Sequence, residues 1–349
     1  MANQSLEALN GPGWHLEVDP EGEQERLDHF ITRRIPRLSR SRAAKLETWL
    51  LDPNTGQLLQ ILKKSKRLQT GMLLWVKRPL SQDDSLPSEQ PLILDEDQDF
   101  VVLYKPSGWL THPTASCYQS TLTTWLKVNG IKACPAHRLD RETSGLILCA
   151  KSSQVSGQLQ QLFTSQRIKK TYLAIVMDRS NTPLSLTKGE NWTNTQSLGF
   201  DLQSNINIKM GKGSHQAHTS FEIIDIFPRH HIVKRLNAIH HPNSKTRQIH
   251  KLMLIRAHPH TGRQHQIRVH LAMNQVPILG DKLYGLDESY FLKHLNHCLS
   301  EEDLHHLGHP RQALHAESLT FSWQGMHKSW TCPFPSDLGV LLPKNCFFS

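Results

Sequence analysis

The segment LSQDDSLPSEQP (Leu80–Pro91) constrains the fold most, because it is polar and contains two prolines. Proline lacks a backbone N–H and does not continue a helix or a central strand. Polar stretches that contain proline are typical of linkers. In a chain of 349 residues, this segment predicts two unequal domains, at residues 24–80 and 92–345, joined by a linker at residues 81–91.

The segment that precedes the linker is strongly basic. Arg26–Leu80 contains 13 Lys and Arg residues against 3 Asp and Glu residues, a local charge of +10, whereas the whole chain carries +9. The rest of the chain is therefore close to neutral. Positive charge concentrated in one small segment is typical of a docking surface for a polyanion. A solvated basic face is the alternative, but it does not explain why the remainder is balanced.

The small domain is expected to contain two helices followed by strands. Apolar residues at helical spacing indicate a first helix that ends at Pro36. Either Ser39 or Ser41 caps a second helix, whose apolar positions are Ala43, Leu46 and Leu50. The stretches QLLQIL and GMLLWVKRP predict short strands. Residues 1–23 are polar and punctuated by Gly and Pro, which predicts a poorly ordered lead.

The larger domain mixes strand and helix patterns. FVVLYKPSGWLTHP indicates a strand that runs into a turn, GLILCAK a buried strand and KTYLAIVM an alternating strand. A helix is expected after Ser152 or Ser153 as its cap, with an apolar face made of Val155, Leu159, Leu162 and Phe163. Residues 180–250 are weakly patterned and predict strands joined by long loops. The mixture predicts an α+β fold rather than regular βαβ winding.

Composition argues against several classes of protein. The 6 cysteines include no C-x-x-C pair, which indicates free thiols in a reducing cytoplasm. The 22 histidines include no H-E-x-x-H motif and no cysteine at ligand spacing, so no metal is expected. No apolar run is long enough to cross a bilayer, and the first residues carry no secretion signal.

The stretch HRLDRETSGL (His137–Leu146) places one acid, Asp140, between Arg138 and Arg141. Taken alone, this pattern indicates a solvated ion pair beside a turn. The blocks around it change that interpretation. KPSGWLTHP lies upstream, and KKTYLAIV, HTGRQHQIRVHL, PILGDKLYG and ALHAESLTF follow in this order.

This ordered set resembles the RluA-type pseudouridine synthases over residues 90–325, and the basic head resembles the S-four-type (αL) RNA-binding domain that many members carry. The resemblance implies a mixed or antiparallel sheet in the catalytic domain and a small α+β RNA-binding head. It implies that the chain isomerises uridine to pseudouridine in RNA. No cofactor is required, because the reaction conserves atoms and electrons.

The resemblance also implies roles for individual residues. The catalytic residues are Asp140, Tyr172 and Arg268, and Arg268 is the ionic partner of Asp140. The substrate contacts are His137, Arg138, Arg263 and Leu314. For Arg138 an ion pair with Asp140 is the alternative, and Arg263 either holds its turn or contacts a phosphate. Gly145, Gly262 and Gly280 are expected to serve turns. The RNA contacts of the head are Arg26, Arg33, Arg34, Arg37, Ser39, Arg40, Arg42 and Lys45.

The chemistry suits these residue types. The C1′–N1 bond must break and C1′ must bond to C5, which needs an ionised carboxylate that attacks C1′ or removes a C2′ proton. A guanidinium opposes the tendency of burial to neutralise such an acid. A planar cation at Arg138 replaces the flipped base or grips phosphate. Tyr172 offers a ring for the uracil and a phenol near C5, whose proton must leave.

The expected protein is therefore a cytoplasmic, monomeric RNA pseudouridine synthase with no membrane association, acting on large-subunit ribosomal RNA. Transfer RNA is the alternative substrate. An RNA-binding or ribosome-assembly factor without catalysis is an alternative of another class, against which the joint presence of Asp140, Tyr172 and Arg268 speaks. A histidine-based metal hydrolase is a more remote alternative, and it predicts bound metal and inhibition by chelators.

Overall fold

The computed structural model describes residues 13–35, 38–77, 85–114, 117–178, 185–228 and 251–343. The chain forms two compact units, and each is described by itself. The first contains the described residues up to Leu86 together with His112–Thr124, and the second contains Pro87–Thr111 and the chain from Trp125 onwards. The break at Leu86 falls within the segment predicted as a linker, whereas His112–Thr124 was expected in the larger domain.

The first unit contains a four-stranded antiparallel sheet in the order β1-β4-β2-β3. Its strands are β1 (Gly13–Glu17), β2 (Thr48–Leu51), β3 (Leu58–Ile61) and β4 (Leu73–Lys77). Its helices are α1 (Leu27–Arg34) and α2 (Arg40–Ala43). Leu27, Phe30 and Ile31 of α1 are fully buried and pack in one cluster with Leu74 of β4, so their helical spacing does form the apolar face of a helix.

Two expectations for this unit are wrong. Residues 13–22 are ordered, because β1 pairs with β4 along its whole length and Pro20–Gly22 form a 3-10 turn. Alternate residues Trp14, Leu16 and Val18 belong to the buried cluster of the unit, which fixes this strand. Residues 1–12 lie outside the described residues.

The second helix is also much shorter than predicted, since α2 spans only Arg40–Ala43. Leu50 lies in strand β2 instead, where it is opposite Leu74 of β4. Leu50 and its neighbour Trp49 lie in a central strand, between β3 and β4, and pairing on both sides outweighs the local helical pattern. Pro36, the predicted helix end, lies outside the described residues.

The second unit is built on a sheet of ten described strands. Its order is β10-β13-β14-β9-β15-β8-β6-β5, with β16 paired to β15 and β7 to β8. The pair β15–β8 is parallel and the other pairs are antiparallel. The predicted class, an α+β fold with a mixed and mainly antiparallel sheet, is confirmed.

The strands of this sheet are β5 (Leu92–Glu96), β6 (Phe100–Lys105), β7 (Cys134–Pro135), β8 (Ser144–Ala150), β9 (Lys169–Asp178), β10 (Asn191–Asn194), β13 (Thr219–Pro228), β14 (Lys251–Pro259), β15 (Leu314–Trp323) and β16 (Met326–Thr331). A separate hairpin consists of β11 (Leu198–Phe200) and β12 (Met210–Lys212). The helices are α4 (Ser153–Thr164), α5 (Gln266–Met273), α6 (Ser289–Leu295), α7 (Glu301–Leu307) and α8 (Ser336–Gly339). Helix α3 (Leu122–Val128) begins in the first unit and continues into the second from Trp125. Across the described ranges, no helix has the length and apolar character that spanning a membrane requires.

The helix α4 confirms its sequence pattern. Ser152 caps it by accepting a hydrogen bond from the backbone N–H of Val155 at 3.2 Å. Val155 and Leu159 are buried against the sheet, and Leu162 and Phe163 pack beside them. The strands predicted within residues 180–250 are present as β10 to β13, and residues 229–250 lie outside the described residues.

Strand β9 differs from its prediction, because it does not alternate between buried and exposed residues. Leu173–Met177 are all buried, since β9 pairs with β14 on one side and β15 on the other and both faces of the sheet are covered. A central strand that is covered on both faces needs apolar residues at every position. Only the beginning of β9, up to Tyr172, is partly exposed.

Candidate active site

Asp140 and Arg268 form an ion pair at the centre of the second unit. Asp140 lies in the loop between β7 and β8, and Arg268 lies in the first turn of α5. The Nη1 atom of Arg268 donates to Oδ2 of Asp140 at 2.9 Å, although 128 residues separate the two positions. The side chains are only 8% and 21% exposed. The structure thus places Arg268 against Asp140, as the resemblance implied.

The guanidinium of Arg268 is shared between two carboxylates. Its Nε and Nη2 atoms donate to Asp281 at 2.7 and 2.9 Å, in the bidentate geometry that suits a planar fork. Asp281 is fully buried and also accepts the backbone N–H groups of Leu283 and Tyr284. Asp281 therefore fixes the plane of Arg268, and Arg268 in turn presents one N–H to Asp140.

These contacts keep Asp140 ionised. Burial opposes its ionisation, but the nearby charges of His265, when protonated, and of Arg268 outweigh burial and lower the pKa of Asp140 to about 2. The pKa of Arg268 is raised despite its burial, chiefly by Asp281 and then by Asp140. At neutral pH the site therefore contains a carboxylate with no bound proton.

Neither arginine beside Asp140 in the sequence forms an ion pair with it. Arg141 donates through Nε to the carbonyl of Gly108 at 3.2 Å. Arg138 is exposed, and no described residue hydrogen-bonds or ion-pairs with its guanidinium. The local ion pair that the pattern R-L-D-R suggests is therefore absent among the described residues, and Arg138 is available to a ligand.

The block KPSGWLTHP holds the loop that carries Asp140. The ammonium of Lys105 is fully buried and donates to the carbonyls of Pro106, Trp109 and Arg141 at 3.0, 2.8 and 3.1 Å. Burial lowers the pKa of Lys105 to about 7, while the charge of Asp140 opposes this shift. Lys105 thus joins two loops at the residue that follows Asp140, a role that its position in an apolar strand did not indicate.

Two later blocks hold the other side of the same loop. Lys282 donates to Glu142 at 2.6 Å, and the backbone N–H of Gln312 donates to the other carboxylate oxygen of Glu142 at 3.0 Å. The Gln312 side chain also donates to the Thr143 hydroxyl at 2.6 Å. Lys105, Arg268, Lys282 and Gln312, which are distant in the chain, therefore all contact one loop.

Gly145 is required for a close strand approach, not for a turn as expected. It lies in β8, beside the parallel strand β15, with φ of 118°. A Cβ atom there would lie 2.2 Å from the carbonyl oxygen of Ala316, and this φ also disfavours other residues. Gly145 thereby allows β15 to approach the strand that follows the Asp140 loop.

Tyr172 and Leu314 share one face of the sheet. Tyr172 is opposite Ala316, and Leu314 is opposite Ala174 two residues further along β9. Residues two apart on a strand point to the same side, so the two side chains are diagonal neighbours. Burial and then the charge of Asp140 raise the pKa of Tyr172. Among the described residues its hydroxyl has no hydrogen-bond partner.

His137 and Arg263 each form a hydrogen bond with a backbone group. The Nε2 atom of His137 accepts the backbone N–H of Leu148 at 3.0 Å, and burial, followed by the charge of Lys170, lowers its pKa to about 3. A neutral ring does not form an ion pair with phosphate. Arg263 is exposed and donates through Nε to the carbonyl of Gln216 at 2.9 Å, which leaves its terminal nitrogens outward.

Two residues near the carboxylate were not among the predicted site residues. The Nε2 atom of His265 lies 3.8 Å from Oδ1 of Asp140. Tyr284 places its ring 5.0 Å from the guanidinium of Arg268 and its hydroxyl 2.7 Å from Nδ1 of His265. Both residues, like Asp281, lie in the blocks HTGRQHQIRVHL and PILGDKLYG that carried the resemblance. Membership of these blocks was the one sequence feature that could have identified them as site residues.

The basic residues of the first unit are unequally available. Arg26 pairs with Asp28, Arg33 with Asp19, Glu21 and Glu25, and Arg34 with Asp19. Ser39, Arg40 and Lys45 are exposed. Arg37 and the side chain of Arg42 lie outside the described residues. Acidic residues from the segment predicted as a disordered lead thus neutralise part of the predicted RNA-binding set.

Metal ligation was not expected, and the described part of the chain contains no group of three or more His, Cys, Asp or Glu side chains arranged to hold an ion. Of the cysteines, Cys117, Cys134, Cys149, Cys298 and Cys332 are free thiols, and Cys346 lies outside the described residues.

Comparison with known proteins identifies the family of the chain. Residues 99–273, half of the chain, match the family model described as RNA pseudouridylate synthase. The chain is 29% identical over 360 residues to a ribosomal large subunit pseudouridine synthase D of Xanthomonas campestris, covering 98% of this chain and 95% of the relative. It is 34% identical over 197 residues to the tRNA pseudouridine(31) synthase of Saccharomyces cerevisiae, covering 55% and 46%.

Among solved structures, human RNA pseudouridylate synthase domain containing 1 superposes with a TM-score of 0.51 at 19% identity, covering 72% of this chain and 86% of the other. This likeness shows a shared fold. The family model that matches half of the chain defines its class, an RNA-modifying enzyme. The chain belongs to the RNA pseudouridine synthase family.

Proposed function

We propose that this enzyme modifies large-subunit ribosomal RNA and that Asp140 is its catalytic carboxylate. The observation that supports the substrate is the similarity to a large-subunit synthase over 98% of the chain. The observation that supports Asp140 is its pairing with Arg268 at 2.9 Å, which keeps it ionised inside a partly buried site. The free cysteines suit a reducing cytoplasm, and a monomer is proposed as the oligomeric state.

Asp140 supplies the negative charge that the reaction needs. As the C1′–N1 bond breaks, the sugar becomes electron-poor, and a carboxylate either bonds to C1′ or removes the C2′ proton. Arg268 lowers the pKa of this carboxylate without neutralising it by proton transfer, because a guanidinium stays charged. No cofactor takes part, since uridine and pseudouridine are isomers.

Tyr172 holds the uracil rather than acting as a phenolate. Its raised pKa keeps the phenol protonated at neutral pH, so its ring serves as a stacking surface and its hydroxyl as a hydrogen-bond donor. Leu314 borders the same face of the sheet and provides apolar contact for the base. The base must leave the RNA stack to reach this face.

Arg138 is proposed to stabilise the RNA from which the base has flipped. Its exposed guanidinium lies two residues before Asp140 and has no partner among the described residues. A planar cation can stack where the base was or bind a phosphate. Arg263, with its terminal nitrogens outward, is proposed as a second phosphate contact. His137 supports the loop through Leu148 and is proposed to act there rather than on RNA.

The first unit is proposed to bind RNA, as an S-four-type domain does. Its exposed basic residues Arg40 and Lys45, with Ser39 beside them, are the proposed contacts. Arg26, Arg33 and Arg34 are already paired with carboxylates and are expected to contribute less. Phosphate contacts position RNA without reading its sequence.

The test is release of tritium from RNA labelled at C5 of uridine. Asp140→Asn preserves shape but removes the charge, so it should bind RNA normally and release no tritium. Asp287→Asn, at an exposed carboxylate, is the matched control and should retain activity. Substantial turnover by Asp140→Asn would contradict the catalytic assignment.

The substrate is tested with the same assay on two RNAs. Fragments of large-subunit ribosomal RNA are expected to be modified, and unmodified transfer RNA is not. Transfer RNA is the second candidate, because the chain also resembles a transfer RNA synthase at 34% identity. Modification of transfer RNA alone would replace the first proposal by the second.

A further inference from the structure

His265 occupies an unusual position at the start of α5. Its φ is 54°, in the left-handed region that few residues other than glycine adopt. Its side chain is only 8% exposed. Such a conformation persists where the surroundings determine it, and here the imidazole hydrogen-bonds Tyr284 on one side and faces Asp140 on the other.

The hydrogen bonds around Tyr284 determine which imidazole nitrogen carries the proton. The Tyr284 hydroxyl oxygen accepts the backbone N–H of Met210 at 2.9 Å and lies 2.7 Å from Nδ1 of His265. Within the described parts of the chain, Nδ1 is the only acceptor for the hydroxyl proton. Tyr284, whose oxygen already accepts from Met210, can donate its proton to Nδ1, and in that arrangement Nδ1 has no proton of its own.

The ring is neutral at physiological pH. Burial, followed by the charge of Arg268, lowers the pKa of His265 to about 4, although Asp140 and Asp281 oppose the shift and the Arg138 charge adds to it. A neutral imidazole carries one proton, and since Nδ1 accepts from Tyr284, this proton is on Nε2. Nε2 is the atom that faces Asp140.

His265 does not hydrogen-bond Asp140 in this structure. The distance from Nε2 to Oδ1 is 3.8 Å, which is too long for a hydrogen bond, whereas Arg268 already contacts Oδ2 at 2.9 Å. Contacts of catalytic groups are often long without substrate and shorten when it binds. A small rotation of the carboxylate would bring Oδ1 to the imidazole N–H.

We propose that His265 is a positioning residue, which donates its Nε2–H to Oδ1 of Asp140 when RNA is bound, and that Tyr284 holds it in the tautomer that can donate. Two donors on different oxygens fix the plane of the carboxylate, so that its remaining lone pairs point to the sugar. The inference rests on the proposed role of Asp140 and adds to it a control of carboxylate orientation.

Two substitutions of His265 distinguish its contact with Asp140 from its contact with Tyr284. His265→Asn tolerates the left-handed backbone and can still accept from Tyr284, but it is too short to reach Asp140. Its kcat should fall about 10- to 100-fold, as expected for a misplaced catalytic group, with KM and RNA affinity unchanged. His265→Gln places an amide N–H near the position of Nε2 and should recover part of kcat.

His297→Asn is the matched control. His297 has φ of 55°, is exposed and lies in the segment after α6. The same substitution in the same backbone conformation should leave kcat unchanged. A wild-type kcat in His265→Asn would overturn the inference, as would equal losses in His265→Asn and His265→Gln at unchanged thermal stability.

Tyr284→Phe tests the tautomer, because it removes the hydroxyl but keeps an aromatic ring against Arg268. It should lower kcat in the wild-type background. It should have no further effect on kcat in His265→Asn, because Tyr284 affects Asp140 only through His265. Additive losses would overturn the inference. Nitrogen NMR of ¹⁵N-histidine protein, assigned with His265→Gln, should show the proton on Nε2.

The two proposals fail differently. A wild-type protein that releases no tritium from any RNA overturns the proposed function, while the NMR measurement is independent of turnover. A ring protonated at Nδ1 overturns the inference about His265, even in a fully active enzyme.

Discussion

Arginines bind several carboxylates in both units, but the two arrangements differ in burial. In the second unit Arg268 bridges Asp281 and Asp140, with side chains that are 8%, 0% and 21% exposed. In the first unit Arg33 contacts Asp19 and Glu25, with side chains that are 34%, 26% and 22% exposed. Arg268 and Asp281 are therefore removed from water, whereas Arg33 and its partners remain in contact with it.

Burial decides what each arrangement does. Charges removed from water are costly unless each is paired, so loss of one partner leaves an uncompensated charge inside the protein. The buried pair therefore fixes geometry and the pKa of a reactive group. Exposed pairs are screened by water and salt and contribute little. In the first unit these pairs occupy Arg26, Arg33 and Arg34, three of the residues predicted to bind RNA.

The largest effect is expected from Asp281→Asn. The substitution leaves the buried Arg268 without its bidentate partner, and it should lower the free energy of unfolding by about 3–5 kcal/mol. Urea denaturation measures this loss, with Asp287→Asn as the exposed control. A loss no larger than that of the control would mean that water enters the site and that the two ion-pair regions do not differ as described.

An intermediate effect is expected from Arg268→Lys, which preserves charge but cannot bridge two carboxylates. The variant should fold, and its kcat should fall about 10- to 100-fold because Asp140 is no longer held in place. Near-normal activity together with normal thermal stability would contradict the role of Arg268 as the partner of Asp140.

The same variant should change the pH profile. A carboxylate is active above its pKa, and in the wild type the pKa of Asp140 is lowered to about 2, so Asp140 causes no loss of kcat between neutral pH and about pH 4. With weaker pairing, burial raises the pKa of Asp140 and the acid limb of kcat should move upward. An unmoved limb would show that Arg268 does not set this pKa.

The smallest effect is expected in the first unit, where it tests the comparison between arginines paired with carboxylates and exposed basic residues that are not. Arg40 hydrogen-bonds His29 rather than a carboxylate. Each phosphate contact contributes about 0.7–0.9 to the slope of log K against log salt. Lys45→Gln and Arg40→Gln should each reduce the slope by up to this amount for a ribosomal RNA fragment, whereas Arg33→Gln should leave it unchanged. A salt titration of binding measures the three slopes, and a reduction for Arg33→Gln alone would reverse the assignment of the RNA contacts.

The elements with strong local patterns were predicted from the sequence. The helix α4, with Ser152 as its cap, and the buried strand β8 were recognised because their periodicity and capping are local properties. Strand β1 and the position of Leu50 in a strand were not predicted, since both depend on pairing with β4. The alternation expected in β9 also failed, because the number of covered faces depends on the rest of the sheet.

The candidate site divides in the same way. Asp140, Tyr172 and Arg268 were found from motifs, and the structure places Asp140 and Arg268 in contact. Asp281, Tyr284, His265 and Lys105 were not identified as site residues, although they lie in blocks that had been noticed. Their importance comes from contacts with residues distant in the chain, and a sequence does not display such contacts.

The sequence by itself determined the family and the α+β class and singled out Asp140 as the candidate carboxylate, because motif spacing and local periodicity depend on residues that are near one another in the chain. Only the tertiary structure decided which charged side chains contact each other. Arg138 and Arg141 adjoin Asp140 in the chain, yet Arg268 contacts it, because the β7–β8 loop and helix α5 converge only when the sheet is complete. Burial then gives that contact its effect on the pKa of Asp140, and burial is a property of the folded whole.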